Sequence, residues 1–388
     1  SSGYSIRKTT GSTGLMQTIT SDKVLTPAGI QFNKTLCIEQ GVIQRIQDAT
    51  KEELAEKYAG TLIPGYIDTQ VNGGGGILFN HTPTYDALKT MANAHLQFGT
   101  TSMLPTLITD NVTTMANAAD AVSEAIANNH PNIEGIHYEG PFLSTAKKGV
   151  HEESFIRTPH DSELATLCRK DIGKVLLTVA PESVSPSFIK EMVAEGVVVA
   201  LGHTNASFEQ VSDALNAGAS GFTHLYNAMS AFTSRAPGAV GAALLFDSAY
   251  CGLIVDHHHV HPKGAELAIK VKGKEKIMLV TDAMAHVGSN LDTLAFFKTE
   301  IKRSGSKLTT PDGTLAGSCL DMHGAVANTC HDLGVSLTQA SAMASSTPAT
   351  FMGMQHKLGS LAAGQYANVL LVDDNIKLAN IWVKGRLQ

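Results

Sequence analysis

Ile133-Glu134-Gly135-Ile136-His137-Tyr138-Glu139-Gly140-Pro141 sets an apolar strand pattern directly against a Gly-Pro break. The carboxylate of Glu139 is thereby carried to the C-terminal end of a strand, where the chain turns into a loop. Two later segments repeat this with histidine: Val197-Val198-Val199-Ala200-Leu201-Gly202-His203 and Gly221-Phe222-Thr223-His224. A fourth, Ile277-Met278-Leu279-Val280-Thr281-Asp282, ends in an aspartate. One Glu, two His and one Asp at strand ends suit a divalent-metal site with an acid/base carboxylate beside it.

Outward from this stretch, short apolar runs alternate with helical patterns. The expected strands are Ile63–Asn72, Ser102–Leu107, Glu134–Glu139, Val175–Ala180, Val197–His203, Phe222–Asn227, Cys251–Asp256 and Lys276–Asp282. Their nearly unbroken apolarity is that of strands buried on both faces. Between them, Tyr85–Phe98, Val112–Asn129, Pro186–Glu195 and Phe208–Ala217 carry apolar residues at three- and four-residue spacing. Gly196, Gly218 and Gly273 stand where helix C-termini call for a left-handed residue. Eight strand-helix units predict an α/β fold, a (β/α)8 TIM-type barrel over 63–354. An open doubly wound sheet is the alternative.

Gln17–Arg45, Asn368–Asp373 and Ala379–Gly385 read instead as strands and turns without helical periodicity. They predict a small β-sandwich domain built from both termini, 16–62 and 355–388. Residues 1–15, rich in Ser, Gly and Thr, read as an appended or disordered leader. The 388 residues are 43% hydrophobic, enough for one large and one small core. A formal charge of -6 without basic blocks argues against nucleic acid as a partner. No apolar run approaches the roughly 18 residues of a membrane span. Five scattered cysteines without a CxxC read as reduced thiols in a cytoplasmic protein.

The candidate metal ligands are Glu139, His203 and His224, a set that suits zinc or ferrous iron. A single strand-end histidine is more often structural; two on consecutive strands, with a glutamate earlier, shift the reading to a site. Asp282 is placed to accept a water proton and return it to a leaving group, or else to cap a helix. Of the cluster Asp256-His257-His258-His259-Val260-His261, four imidazoles cannot all face one site. His151 is a loop histidine able to reach an open site, and Arg235 is able to grip a phosphate or carboxylate. The run Gly73–Gly76 lacks nucleotide-binding spacing.

Taken together, Pro64–Asp68, His137–Pro141, Gly202–Ala206, Thr223–Met229, Asp256–Val260, Thr281–Ala283, Leu315–Ser318 and Leu358–Gly364 resemble the amidohydrolase superfamily, and within it its sugar-phosphate deacetylases. The resemblance covers nearly the whole chain after Met16. It implies hydrolysis of the acetamide of N-acetyl-D-glucosamine 6-phosphate to glucosamine 6-phosphate and acetate. It assigns Asp282 the proton transfers, and His151 the polarisation of the scissile carbonyl. Asn227, the backbone at Ala228, and Arg235 would bind the phosphate, with Arg235 reaching across a homodimer. His259 would contact the sugar or its phosphate, and Leu315, Ala316 and Gly317 would border its pocket. Most members of the superfamily carry His-x-His where this chain has Gln70 and Asn72. Amides are poor ligands, so one divalent ion per subunit is expected and the second site is vestigial. Two other readings are an amidohydrolase acting on another acetylated amino-sugar phosphate, such as the galactosamine epimer, or on a cyclic amide, and a non-catalytic scaffold. The scaffold reading conflicts with the presence of all four site residues.

Overall fold

A computed structural model describes residues 5–7, as backbone, and 15–388. Apart from Ser5–Arg7 and Leu15, the leader lies outside the described residues. Ser5–Arg7 pairs antiparallel with Met16–Thr18.

Eight parallel strands form the catalytic scaffold: β1 (Tyr66–Val71), β2 (Thr100–Ile108), β3 (Gly135–Glu139), β4 (Lys174–Val179), β5 (Val198–Leu201), β6 (Gly221–Phe222), β7 (Tyr250–Leu253) and β8 (Ile277–Leu279). Each hydrogen-bonds to the next. The ring closes between β8 and β1, where Ala283 bridges Val71 and the Asp282 N–H donates to the Gln70 carbonyl at 2.9 Å. Every residue of β1, β2 and β3 is buried, as their continuous apolarity requires. The outer helices bury one stripe each. Tyr85–Leu96, capped by Thr84, buries Leu88, Met91, Ala92 and His95. Val112–Ala127, capped by Asn111, buries Met115, Ala118, Ala119, Val122 and Ala125. No helix among the described residues is long and apolar enough to cross a membrane.

Strands from both ends of the chain join a separate, continuous eight-stranded sheet. Its core gathers Val24, Leu36, Ile43, Leu62, Val369 and Leu371 around a fully buried Trp382.

Two expected strands are corrected, and one sheet had not been expected. The strand expected over Ile63–Asn72 is two strands in two sheets: Tyr58–Pro64 pairs with Val369–Val372, and the chain enters the barrel after Gly65. Apolar residues run straight through the boundary, so periodicity could not mark it. The strand expected over Phe222–Asn227 ends at Phe222. Positive φ angles at His224, Tyr226 and Ala228 (35°, 79° and 53°) turn the chain back, and Leu225 and Met229 pack into the core as loop residues. A three-stranded antiparallel sheet, Thr293–Phe296, Thr299–Ser304 and Lys307–Thr309, is inserted after β8. Its signal was the alternation that buries Leu294, Phe296, Ile301 and Leu308 beneath exposed neighbours.

Candidate active site

A cavity of about 310 Å3 opens where the barrel strands end, the face on which such barrels carry their chemistry. Glu139, His151, His203, His224, Asn227, Ala228, His259, Asp282, Leu315 and Gly317 all line it. The residues just past the strands stand in strained backbone: φ is 46° at His203, 35° at His224 and 54° at Asp282. Left-handed conformations cost free energy in residues other than glycine and concentrate at functional sites. After Glu139 the turn falls on Gly140, at φ 95°, where a Cβ would meet Thr109 Oγ1 at 2.2 Å.

Glu139 is the hub. Its Oε1 is 2.9 Å from His151 Nε2 and 3.6 Å from His203 Nε2; its Oε2 is 3.7 Å from His224 Nε2. Burial opposes its charge, but the two imidazoles at Oε1 hold the carboxyl well below its usual range. His203 Nε2 and His224 Nε2 are 3.1 Å apart. Hydrogen-bond chemistry separates the three rings. The His203 Nδ1 faces the Lys147 carbonyl at 2.8 Å. A carbonyl only accepts, so Nδ1 carries the hydrogen and the neutral ring presents a lone pair at Nε2. His151 is the reverse. Its Nε2 faces a carboxylate oxygen and must donate, while its Nδ1 takes the Thr109 hydroxyl at 2.7 Å. Burial keeps His151 neutral, below its ordinary pKa, so it offers the cavity a hydrogen rather than a lone pair. Burial pushes His224 down to about 3, and its buried Nδ1 has no hydrogen-bond partner among the described residues.

Glu139, His151 and His203 form one set of donor atoms within 4.8 Å of one another. The ring chemistry favours a different third member. Two neutral imidazole nitrogens facing each other beside a carboxylate, one ring with an orphaned nitrogen, fit a divalent cation.

Asp282 is buried, and its Oδ1 accepts from Asn72 Nδ2 at 2.7 Å and from Gln70 Nε2 at 3.3 Å. Gln70 Nε2 also donates to Glu139 Oε2 at 2.5 Å. The two amides thus aim hydrogens, not lone pairs, at the carboxylates. Burial first, and the nearby Glu139 second, hold the Asp282 carboxyl well above its ordinary range.

Asp256 fixes His259: Oδ1 caps the loop through the His258 and His259 N–H groups, and Oδ2 takes His259 Nδ1 at 2.7 Å. His257 instead pairs with Asp332 and His258 with Ser306. Ala316 is buried and does not line the cavity; Leu315 and Gly317 on either side do. Arg235 is exposed on the 230–237 loop and is not brought to this chain's own cavity. The sequence reading missed Thr109, the Lys147 carbonyl, Met284, Phe296 and Thr314, which orient or line the site. Only Phe296 carried a signal, through its strand alternation.

The amidohydrolase family model matches residues 61–387. An N-acetylgalactosamine-6-phosphate deacetylase of Shewanella sp. (strain ANA-3) is 47% identical, covering 94% of each chain. An N-acetylglucosamine-6-phosphate deacetylase of Vibrio furnissii is 35% identical, covering 84% of this chain and 82% of that one. The crystal structure of N-acetylglucosamine-6-phosphate deacetylase from Pasteurella multocida superposes with a TM-score of 0.91 at 33% identity, over 96% of this chain and 99% of the other.

Proposed function

The chain belongs to the amidohydrolase family, and from that premise we propose that it hydrolyses the acetamide of an N-acetylated amino-sugar 6-phosphate to the free amine and acetate, in amino-sugar breakdown. The observation that carries the reading is the cavity that holds Glu139, His151, His203, His224 and Asp282 together in a chain so similar to deacetylases. We assign Glu139, His203 and His224 to one divalent ion, zinc or ferrous iron. Such an ion supplies Lewis acidity, polarising a carbonyl and acidifying water. The amide hydrogens of Gln70 and Asn72 occupy the place of a second set of ligands, which supports a single ion.

In this reading Asp282 takes a proton from the attacking water and delivers it to the leaving nitrogen. Its Oδ1 is occupied by Asn72 and Gln70, while Oδ2 accepts no hydrogen bond among the described residues. With the Glu139 carboxylate committed to the ion, the His151 Nε2 hydrogen that it holds in this structure is released to the acetamide oxygen as negative charge builds there. His259, its ring fixed by Asp256, contacts the sugar or its phosphate, and Asn227 with the backbone at Ala228 takes the phosphate.

Arg235 completes the phosphate site of a partner subunit in a homodimer. In support, it is exposed and does not line its own cavity, on the same loop as Phe232, which is 66% exposed. Arg235→Ala is expected to lower kcat/KM for the phosphorylated sugar by roughly 10- to 100-fold, mostly through KM, as loss of a charged hydrogen bond does. An unchanged KM would remove Arg235 from the site. Five unpaired cysteines support a cytoplasmic setting.

The test is acetate release by metal-quantified protein from N-acetylglucosamine 6-phosphate, its galactosamine epimer and both unphosphorylated sugars. Release from phosphorylated sugars alone supports the reading; release from none overturns it. The sequence reading takes the glucosamine epimer. One observation favours the galactosamine epimer: the Shewanella relative at 47% identity is named for it, against 35% for the Vibrio enzyme. The epimer with the larger kcat/KM decides between them.

A further inference from the structure

We infer that His137 is a positioning residue: with Thr178 and Thr223 it forms a hydrogen-bonded beam across the barrel interior that fixes where Glu139 and His224 present their donor atoms. The inference rests on the assignment of those two residues to the metal.

His137 lies two residues before Glu139 on β3, on the same face of the strand, and is 1% exposed. Its Nδ1 is 2.9 Å from the Thr69 carbonyl, which can only accept, so Nδ1 carries the hydrogen. Its Nε2 is 2.7 Å from Thr178 Oγ1, and Thr178 Oγ1 is 2.6 Å from Thr223 Oγ1. In a neutral ring Nε2 must accept, so the Thr178 hydroxyl donates to it and takes the Thr223 hydroxyl in turn. One order of hydrogens then satisfies the whole beam. Each link lies in the barrel interior, where an unmade hydrogen bond carries its full desolvation cost.

The beam spans strands that do not touch. Thr178 is on β4 and Thr223 follows β6, with β5 between them. Their contact is possible because the chain leaving β5 carries Gly202. A Cβ there would stand 3.0 Å from both Thr178 Cγ2 and Thr223 Cβ. The anchor points adjoin the working residues: Thr69 precedes Gln70, His137 shares a face with Glu139, and Thr223 precedes His224. The beam therefore sets the spacing between the ends of β1, β3 and β6, on which the 3.7 Å approach of His224 to Glu139 depends.

Thr178→Val cuts both hydroxyl links at nearly constant volume, whereas Thr178→Ser preserves them. Thr223→Val is a milder cut that leaves the His137–Thr178 link in place. The readout is the Zn2+ dissociation constant of each purified protein, measured by competition with a chromophoric chelator alongside thermal stability. Thr178→Val is expected to bind Zn2+ about 10- to 100-fold more weakly, the range for loss of an outer partner, with Thr178→Ser close to wild type. Thr223→Val falls between them. Wild-type Zn2+ affinity in folded Thr178→Val or Thr223→Val, even at lower thermal stability, would reduce the beam to core packing and overturn the inference. Acetate release by the wild type tests the activity separately, so failure of either claim is distinguishable from failure of the other.

Discussion

Asp282→Asn is expected to lower kcat by about 10^2- to 10^4-fold, the range a positioned general acid/base contributes, with KM and metal content nearly unchanged. Asparagine keeps the shape of the side chain and an oxygen able to accept from Asn72 and Gln70, the two bonds that hold Asp282 in place. It lacks only the capacity to take up a proton and pass it on. A second readout separates this from a structural role. In the metal-free protein Asp282 is a buried carboxyl close to the Glu139 carboxylate, and both burial and that neighbour oppose its ionisation. Removing the charge relieves the repulsion, so metal-free Asp282→Asn is expected to melt at or above the wild-type temperature. Turnover close to wild type would sink the acid/base assignment. A large loss of thermal stability would show that the residue serves the fold.

Strand ends were legible in the sequence because burial on both faces leaves an unbroken apolar run, and a polar residue stopping that run stands out. Glu139, His203 and Asp282 all announce themselves this way. His224 was legible too, although its strand was drawn too long, since Leu225 and Met229 are apolar for reasons of loop packing. Distance was not legible. Only the family resemblance sent Arg235 to a partner's site, and nothing in the sequence buries Ala316 while Leu315 and Gly317 face the cavity. The contacts that set ring tautomers were also hidden. Thr109 and the Lys147 carbonyl act through short hydrogen bonds made by residues of no distinctive type. They nevertheless decide which histidine can ligate and which can donate.

That distinction yields the other large effect. His224→Ala is expected to lose the metal, and with it activity, whereas His151→Ala retains about one ion per chain and loses turnover. By distance to Glu139 alone the opposite assignment is attractive, since the His151 ring sits 2.9 Å from it and belongs to a cluster of donor atoms within 4.8 Å of one another. Hydrogen-bond chemistry opposes it. His151 Nε2 is committed as a donor to the carboxylate, and its Nδ1 is taken by Thr109, so a lone pair reaches the centre only by exchanging the tautomer and giving up both bonds. His224 gives up less: its Nε2 shares a hydrogen only with His203 Nε2, and its Nδ1 has no hydrogen-bond partner among the described residues, so exchanging the tautomer frees Nε2 at the loss of one contact. Deleting one of three ligands should weaken the metal by more than the roughly 10- to 100-fold that loss of an outer partner costs. Metal content by emission spectrometry after dialysis, on folded His224→Ala and His151→Ala, gives the answer without reference to activity. If His151→Ala emerged empty and His224→Ala loaded, the ligand set would be Glu139, His151 and His203, and the donor to the acetamide oxygen would have to be sought elsewhere in the cavity.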